Sequence, residues 1–466
     1  MSLNDLPDEV IVKICILLDF QSNANLRLSS KRMAQAGAEA LVKSVRFHCT
    51  KESLKRFHAI AHDPVLRKYV DSVAFEGNLL ANIPCVHTYQ AHYDLDYERP
   101  HPPHHDASPR EKRLYERNVA KFNRAMEKKY ERYVDLFTKQ QKILTSNIFT
   151  EMIDPSMLCF PRLTKVALST VGRCKHVLSG RFMDSFAADI TMPIEPDSKY
   201  TKLQLQHLLF PGGQPMTSLR VLEVHVVSPQ FFTGFIPSRM LCLAFQNLKV
   251  IDLNFRLEKE DRIGLRPSSR NTLYADLSKG LLRDALCAAN DLERLTLNFD
   301  DYGYYGVVAT VENILGTKVW PKLEMLNIDC MSTTEIGLMH LLKRQPSLKD
   351  LRLGFMTFRQ GYWPSAATRM RKELSLQNFV PTGIFEDPRQ MYPMHHLDGD
   401  AYVQDFSHIT LGEALGLWVT DGANGRDGDE YHPLFDDEFT DADELREQYG
   451  PFVEDEEFSD MDCDSD

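Results

Sequence analysis

The residue types best able to bind a metal or move a proton gather in one proline-rich stretch, "RPHPPHHDASPRE", which holds His101, His104, His105 and Asp106. Imidazole and carboxylate groups serve zinc and related ions when an element of structure fixes their geometry. Here Pro100, Pro102 and Pro103 stiffen the backbone into an extended form, and neither a helix nor a strand pattern holds the side chains together. No metal is expected there, and His395 with His396 offers still less. "FPGGQP", residues 210 to 215, is a turn that lacks the lysine and spacing of a phosphate loop. No GxSxG elbow, HExxH pair or Cys–His arrangement with supporting context occurs. The cysteines are Cys15, Cys49, Cys85, Cys159, Cys174, Cys242, Cys287, Cys330 and Cys463, with no CxxC among them. That pattern indicates buried thiols in a reducing compartment rather than disulfides or a zinc site. The expectation is a non-catalytic protein without metal or cofactor.

The elements that could position a functional surface begin at the start of the chain. Residues 6 to 18, "LPDEVIVKICILL", open with Asp5, Leu6 and Pro7, which suit the first turn of a helix. Val10, Ile11, Val12, Ile14, Cys15, Ile16, Leu17 and Leu18 follow with one charge, Lys13, among them. A surface helix normally has one apolar stripe and one polar face, whereas this one is apolar nearly all round. Asp5, Asp8 and Glu9 precede the run, so it does not read as a signal peptide. It is also shorter than the ~18 to 20 apolar residues of a membrane span. Two readings remain: a helix buried in its own domain, or one covered partly by its own domain and partly by a second protein. A second helical stretch follows in "ANLRLSSKRMAQAG", with Leu26, Leu28 and Met33 as its apolar residues and Gly37 as its stop.

The series Leu6-Pro7-x-Glu9-x-Ile11-x-x-Ile14-x-x-x-Leu18, followed by "NLRLSSKRM", closely resembles an F-box. The resemblance covers residues 3 to about 41, and two separated parts match in order. It departs at Ser22, Asn23 and Ala24, where many members place a leucine, so the middle of the module is expected to be looser. The resemblance implies docking on the Skp adaptor of cullin–RING ubiquitin ligases. It assigns adaptor contacts to Leu6, Pro7, Glu9, Ile11, Ile14 and Leu18, and in its second part to Leu26, Leu28, Lys31, Arg32 and Met33. A module of ~40 residues is near the lower size limit for a self-supporting core. Unburied apolar side chains on it, each forgoing roughly 1.5 to 3 kcal/mol, suffice to hold a partner.

Beyond residue 41 a phrase recurs: "LTKVALS" from Leu163, "LRVLEVHV" from Leu219, "LKVIDLNF" from Leu248, "LERLTLNF" from Leu292, "LEMLNIDC" from Leu323 and "LKDLRLGF" from Leu348. All follow LxxLxL with aliphatic substitutions, and fainter copies lie at Val42-Val45-Phe47 and Val70-Val73-Phe75. From Leu219 to Leu348 the separations are 29, 44, 31 and 25 residues, with helical stretches such as "GLLRDALCAAN" between them. A short strand plus a helix at that period is the mark of a leucine-rich repeat. The expected fold is therefore α/β: a small all-α F-box over residues 1–41, then an irregular leucine-rich-repeat solenoid over 42–420. In such a solenoid a curved sheet carries helices on its outside. A loop and a long helix are inserted at about 80–155. On that helix Tyr115, Val119, Phe122, Met126, Tyr130, Tyr133, Phe137 and Leu144 share one face. Arg113, Arg117, Lys121, Arg124, Lys128 and Arg132 lie opposite, as a solvated basic side or a docking face for an acidic partner or the acidic tail.

Alternation along the strands places the second and third leucines of each phrase toward the core. Glu223, His225, Asp252, Asn254, Thr296, Asn298, Asn327, Asp329 and Arg352 then face the other way, as candidate contacts for a protein substrate of unknown identity. The preponderance of Asp and Asn favours a segment with basic or hydrogen-bond-donating groups. Residues 421–466 hold 19 acidic side chains against Arg426 and Arg446, a net of −17, which leaves 52 basic and 47 acidic, or +5, on the rest. The tail is expected to be disordered, as a lure for basic groups or a solubilising terminus. The modest charge of the body and the acidic strand faces argue against nucleic acid. No membrane partner is expected, and the compartment expected is the cytoplasm, the nucleus or both. The function expected is that of a substrate-recognition subunit linking the Skp adaptor to a protein for ubiquitination. The alternative is an interaction scaffold without a role in degradation.

Overall fold

The computed structural model describes residues 6–77, 79–80, 82–92, 100–104, 107–169, 194–195, 198–234, 236–256, 277, 279–300, 309–389, 391–393, 410–421 and 433–435. Contacts divide the chain into two units, Met1–Val307 with Asn313–Leu315, and Val308–Glu312 with Gly316–Asp466.

The first unit opens with α1 (Asp8–Leu17), α2 (Phe20–Arg27) and α3 (Lys31–Val42). Their starts follow from local chemistry. Asp8 and Glu9 occupy the first turn of α1, where a carboxylate suits the helix dipole. Asp19 accepts the Ser22 N–H at 2.9 Å and Ser30 accepts the Met33 N–H at 3.1 Å, capping α2 and α3. Gly37, expected to end a helix, lies inside α3. Its missing side chain lets α2 come close, since a Cβ there would stand 2.6 Å from Arg27 Cγ and from Asn23 Oδ1. Ser22, Asn23 and Ala24, expected to be loose, form the middle of α2, and the buried Asn23 donates to the Gly37 carbonyl at 3.4 Å.

Eight strands follow: β1 (Ser44–His48), β2 (Ser72–Glu76), β3 (Leu79–Leu80), β4 (Lys165–Ser169), β5 (Ile194–Glu195), β6 (Val221–Val227), β7 (Val250–Arg256) and β8 (Arg294–Asp300). Strands β1, β2, β4, β6, β7 and β8 pair in that order, all parallel, while β3 and β5 make a small antiparallel pair. One device sets the register at each step. The carbonyl just before a strand accepts two successive N–H groups of the next strand. Lys43 serves Asp71 and Ser72, Asp71 serves Thr164 and Lys165, Thr164 serves Arg220 and Val221, Arg220 serves Lys249 and Val250, and Lys249 serves Glu293 and Arg294. One face of the long parallel strands is core: Leu222 and Val224, Ile251 and Leu253, and Leu295 and Leu297 are fully buried. Phe47 stacks between Phe57 at 4.1 Å and Phe75 at 4.5 Å, and Phe255 stacks on Phe299 at 4.5 Å.

Between β1 and β2 lies α4 (Lys51–His62), and between β3 and β4 lie α5 (Val86–His92) and α6 (Pro109–Leu144). Ser108 and Glu111 form a capping box with Pro109 at the first position, which fixes where α6 begins. Its second half is anchored: Tyr133 packs with Leu80, Ile83 and Tyr89, and Gln140 accepts the Leu80 N–H at 2.7 Å. Residues 109–125, about 25 Å of helix at 1.5 Å per residue, contain no buried side chain.

The second unit carries β9 (Met325–Asp329), β10 (Ser332–Thr334), β11 (Asp350–Gly354), β12 (Thr357–Gln360), β13 (Asn378–Thr382), β14 (Ile384–Glu386) and β15 (Met391–Pro393). Strands β9, β11 and β13 are parallel, and β10, β12 and β14 form a second parallel set with β15 antiparallel to β14. A left-handed residue turns each strand of the first set toward its partner in the second: Cys330 (φ 57°), Phe355 (φ 45°) and Gly383 (φ 75°). The helix Leu411–Asp421 packs on β13, where Gly416 allows a close approach to the Phe379 carbonyl.

These observations correct the expected architecture of a separate all-α F-box module followed by a curved leucine-rich-repeat solenoid. The chain is α/β: the first unit holds six parallel strands in chain order together with α1 to α3, and the second holds the parallel sets β9, β11, β13 and β10, β12, β14. The LxxLxL phrases did mark strands and their buried faces, but a parallel strand of any α/β sheet needs the same pattern. They carry no information on what lies between. Each interval does hold at least one helix, among them the expected inserted 36-residue one, but the contents are uneven: a 3₁₀ turn at Pro229–Phe232 precedes the helix Ser238–Phe245, and in the second unit β10 and β12 add strands of a further sheet.

Candidate interaction surfaces

The first candidate surface lies on the opening helices. Ile11, Cys15, Met33 and Ala36 form their shared core, with Leu6, Val12, Leu26 and Ala40 packed partly against it. Arg32 donates to the Leu6 carbonyl at 2.6 Å and to Asp8 Oδ1 at 2.7 Å, tying α3 to the start of α1. Ile11 and Met33, assigned to adaptor contact by the F-box resemblance, therefore face inward, and Arg32 is engaged within the chain. Pro7, Glu9, Leu18, Leu28 and Lys31 are exposed; Leu6, Ile14 and Leu26 are half-buried. The outer apolar set includes Leu18 and Leu28, which the resemblance assigned to adaptor contact, and Val10, Ile16 and Leu17, which it did not. Ile16 is 56 % exposed, Leu17 85 % and Leu28 86 %, with Val10 and Leu18 also on the surface. Five of the twelve large apolar side chains exposed among the described residues thus fall between positions 10 and 28. The nearly unbroken apolar run was the signal for the four from Val10 to Leu18; only the pairing of α1 with α3 decides which of its residues turn outward.

The second candidate surface is the non-core face of the parallel strands. In the first unit the register aligns Glu223, Asp252 and Thr296 in one row and sets Asn254 beside Asn298 in the next. Glu223, His225, Asp252, Asn254, Thr296 and Asn298 are all half-buried, on the opposite side from the leucines. Lys165 reaches across from β4 to pair with Glu223 at 2.5 Å. Asn254 Nδ2 donates to Asp252 Oδ1 at 3.0 Å. Burial raises the Asp252 carboxyl above the ordinary range; His225 and Lys165 oppose that, while Glu223 adds to it. Asn298 Oδ1 is shut off from water and accepts no hydrogen bond among the described residues.

The same face continues to β1 and β2, where reading outward positions only from Leu219 onward had missed it. Alternation applied to the fainter phrases would have found Arg46, His48 and Glu76, and applied to Leu163 it would have found Lys165. His48 and Glu76 are register partners. Burial, with Arg56 adding to it, holds the His48 imidazolium down to about 3, and burial lifts the Glu76 carboxyl to about 7 against the pull of Arg46.

In the second unit Asn327 aligns with Arg352, and Asp329 with Gly354. Arg352 is engaged by Asp350 on its own strand at 3.2 Å. Gly354 leaves room for Asp329, whose Oδ1 would lie 2.4 Å from a Cβ there. Of the histidine stretch, His101 and His104 lie in coil, while His105, Asp106, His395 and His396 lie outside the described residues. Among the cysteines Cys15 and Cys49 are buried, but Cys85 is exposed, against the expectation of buried thiols. Among the described residues no helix is long and apolar enough to cross a membrane. No family model matches the chain, and no curated protein matches it in sequence.

Proposed function

We propose that this chain is a non-catalytic docking protein that joins two others, in the role its F-box resemblance implies: the substrate-recognition subunit of a cullin–RING ubiquitin ligase. The opening helices hold the Skp adaptor, and the polar strand face holds the protein to be ubiquitinated. The observation that carries the reading is the crowding of exposed apolar side chains at Val10, Ile16, Leu17, Leu18 and Leu28, on or beside helices already packed on their inner side. Soluble chains seldom expose such groups together without a use for them. Burying Ile16, Leu17 and Leu28 alone is worth roughly 1.5 to 3 kcal/mol each.

The test uses the full chain, because α1 to α3 share a unit with the sheet and cannot be removed neutrally. Immobilised Skp adaptor captures the native chain and loses the Leu17→Asp/Leu28→Asp variant, whose thermal midpoint stays native. Equal capture of both would sink the adaptor reading. Asp252→Lys and Asp329→Lys leave adaptor capture intact and weaken retention of proteins that accumulate when the chain is absent from cells. Reconstituted ubiquitination of such a protein separates a ligase subunit from a scaffold.

A further inference from the structure

Independently of the adaptor and strand-face readings, we infer that the first half of α6 is a docking strip for an acidic, carboxylate-rich segment of a partner protein. Arg110, Arg113, Arg117, Lys121, Arg124 and Lys128 follow one another at intervals of three or four, so one side of the helix carries all six. The row is about 27 Å long at 1.5 Å per residue, and every member is exposed. None pairs with a carboxylate among the described residues. Glu111 is held by Ser108 in the capping box, and Glu116 and Glu127 pair with no cation among the described residues. A helix side that merely meets water gains from mixed signs, as in the anchored half, where Lys139 pairs with Asp135 at 2.6 Å. The first half does the opposite. Like charges three or four residues apart disfavour a helix, and Arg110 and Lys112 stand in the first turn, where the helix dipole repels cations. No side chain of residues 109–125 is buried, so little packing offsets this. An incoming row of anions removes the repulsion and puts charge-assisted hydrogen bonds in its place.

The arrangement selects the kind of anion. Tyr115, Val119 and Phe122 lie on the other side of the helix, so no aromatic ring stands among the cations to stack a base, as single-stranded nucleic acid requires. Only Leu114 brings exposed apolar surface beside the row, too little for a helix that lies in a membrane surface. A carboxylate-bearing segment needs neither. Four of the six cations are arginines, whose planar forks take carboxylate oxygens in pairs. Alternate side chains of an extended segment repeat about every 6.6 Å, against about 5.4 Å for a helical turn, a difference that the long side chains absorb. About nine extended residues therefore span the strip.

The probe is a fluorescein-labelled nonapeptide with glutamate at alternate positions and serine between, read by fluorescence polarisation on the full chain at about 50 mM salt. It is expected to bind, the matched glutamine peptide is not, and about 500 mM salt should weaken binding about tenfold. Arg117→Glu combined with Glu116→Arg keeps the net charge but breaks the row, and should also weaken binding about tenfold. Both positions are exposed, so the thermal midpoint of that variant stays native. Unchanged affinity in it would show attraction to net charge alone and overturn the strip, as would no binding of the glutamate peptide at millimolar concentration. Equal or tighter binding of an oligothymidylate of the same charge, or of phosphatidylserine vesicles, overturns the choice of partner. Glu454→Gln, Asp455→Asn, Glu456→Gln and Glu457→Gln together, in the full chain, test its own acidic end. Unchanged peptide affinity upholds a separate partner, and a gain of about tenfold makes that end the occupant and overturns the partner reading.

Discussion

Leu17 and Leu28 at the opening helices are exposed, Glu223, Asp252 and Asn254 on the strand face are half-buried, and the two sets meet solvent in opposite ways. The leucines face water because the small core of Ile11, Cys15, Met33 and Ala36 is already complete, so the surplus apolar surface has nowhere inside to go. The strand residues face outward because the alternation that buries Ile251 and Leu253 leaves their neighbours on the other side, where they bond to one another. An apolar surplus supplies affinity with little discrimination, since burial is non-directional. A set of oriented acceptors supplies discrimination with little net affinity, since each bond replaces one to water. A protein that must hold one constant partner firmly and sample others selectively needs one surface of each kind.

The largest effect should come from charging the apolar surface. Leu17→Asp with Leu28→Asp removes two contacts worth roughly 1.5 to 3 kcal/mol each, a loss of about 10²- to 10⁴-fold in adaptor affinity. The thermal midpoint should barely move, because neither side chain contributes to the core. If the midpoint falls in step with capture, the two leucines are structural and the contrast between the surfaces collapses.

Turning inward by one helical face should reverse the outcome. Ile11→Ala empties a fully buried site and should cost about 2 to 5 kcal/mol of stability. Ile16→Ala, more than half exposed, should cost within about 0.5 kcal/mol. Urea unfolding of the two variants measures the difference directly. Comparable losses would mean that α1 has no inner and outer face.

These two residues also show how far the sequence could be read. The apolar run identified α1, and the LxxLxL phrases identified the strands and placed Glu223, Asp252 and Asn327 on the non-core face. Burial in a strand has period two, so a short phrase is enough to specify it. The run in α1 is apolar nearly all round and has no such period to divide Ile11 from Ile16; tertiary packing against α3 makes that choice. Lys165 pairing with Glu223 was hidden for another reason: 58 residues separate the two, and only the strand register brings them together. The architecture was misread because strand phrases are silent about their connections, and the Cys330 and Phe355 corners that build a second sheet carry no glycine to mark them.

The strand face itself is not uniform, and pH separates its ends. Glu76 keeps its proton up to about 7 in the fold, while the unfolded chain releases it near its ordinary 4.5. The folded state binds more protons in that window, so Glu76 makes stability fall as pH rises from about 4.5 to about 7, by about 2 to 3 kcal/mol. His48 stays neutral in the fold down to about 3, whereas the unfolded chain takes up a proton near 6.5. There the unfolded state binds more, so His48 makes stability rise with pH from about 3 to about 6.5. The two slopes cancel between about 4.5 and 6.5. In Glu76→Gln the rise should continue to about 6.5 with no later fall; in His48→Gln the fall should begin near 4.5. Urea midpoints across this range, taken as differences from the native chain, read each slope. Parallel profiles for all three proteins would show that neither group is held dry.

The smallest effect tests the scaffold beneath the face in the second unit. At the three corners after β9, β11 and β13 the backbone takes positive φ, yet only Gly383 is a glycine. Gly383→Ala adds a Cβ at a strained φ, 2.6 Å from the Phe355 ring, and should destabilise by about 2 kcal/mol. Cys330→Gly does the reverse: it relieves a left-handed penalty of about 1 to 2 kcal/mol and gives back about half of that as added freedom of the unfolded chain. A net gain of about 0.5 to 1 kcal/mol should appear as a higher urea midpoint. Asp329 precedes Cys330 on the strand, so a corner that merely turns the chain leaves that carboxylate in place. If Cys330→Gly instead lowers the midpoint, the thiol's contact with Asp329 Oδ1, at 3.6 Å, outweighs the strain it sits in.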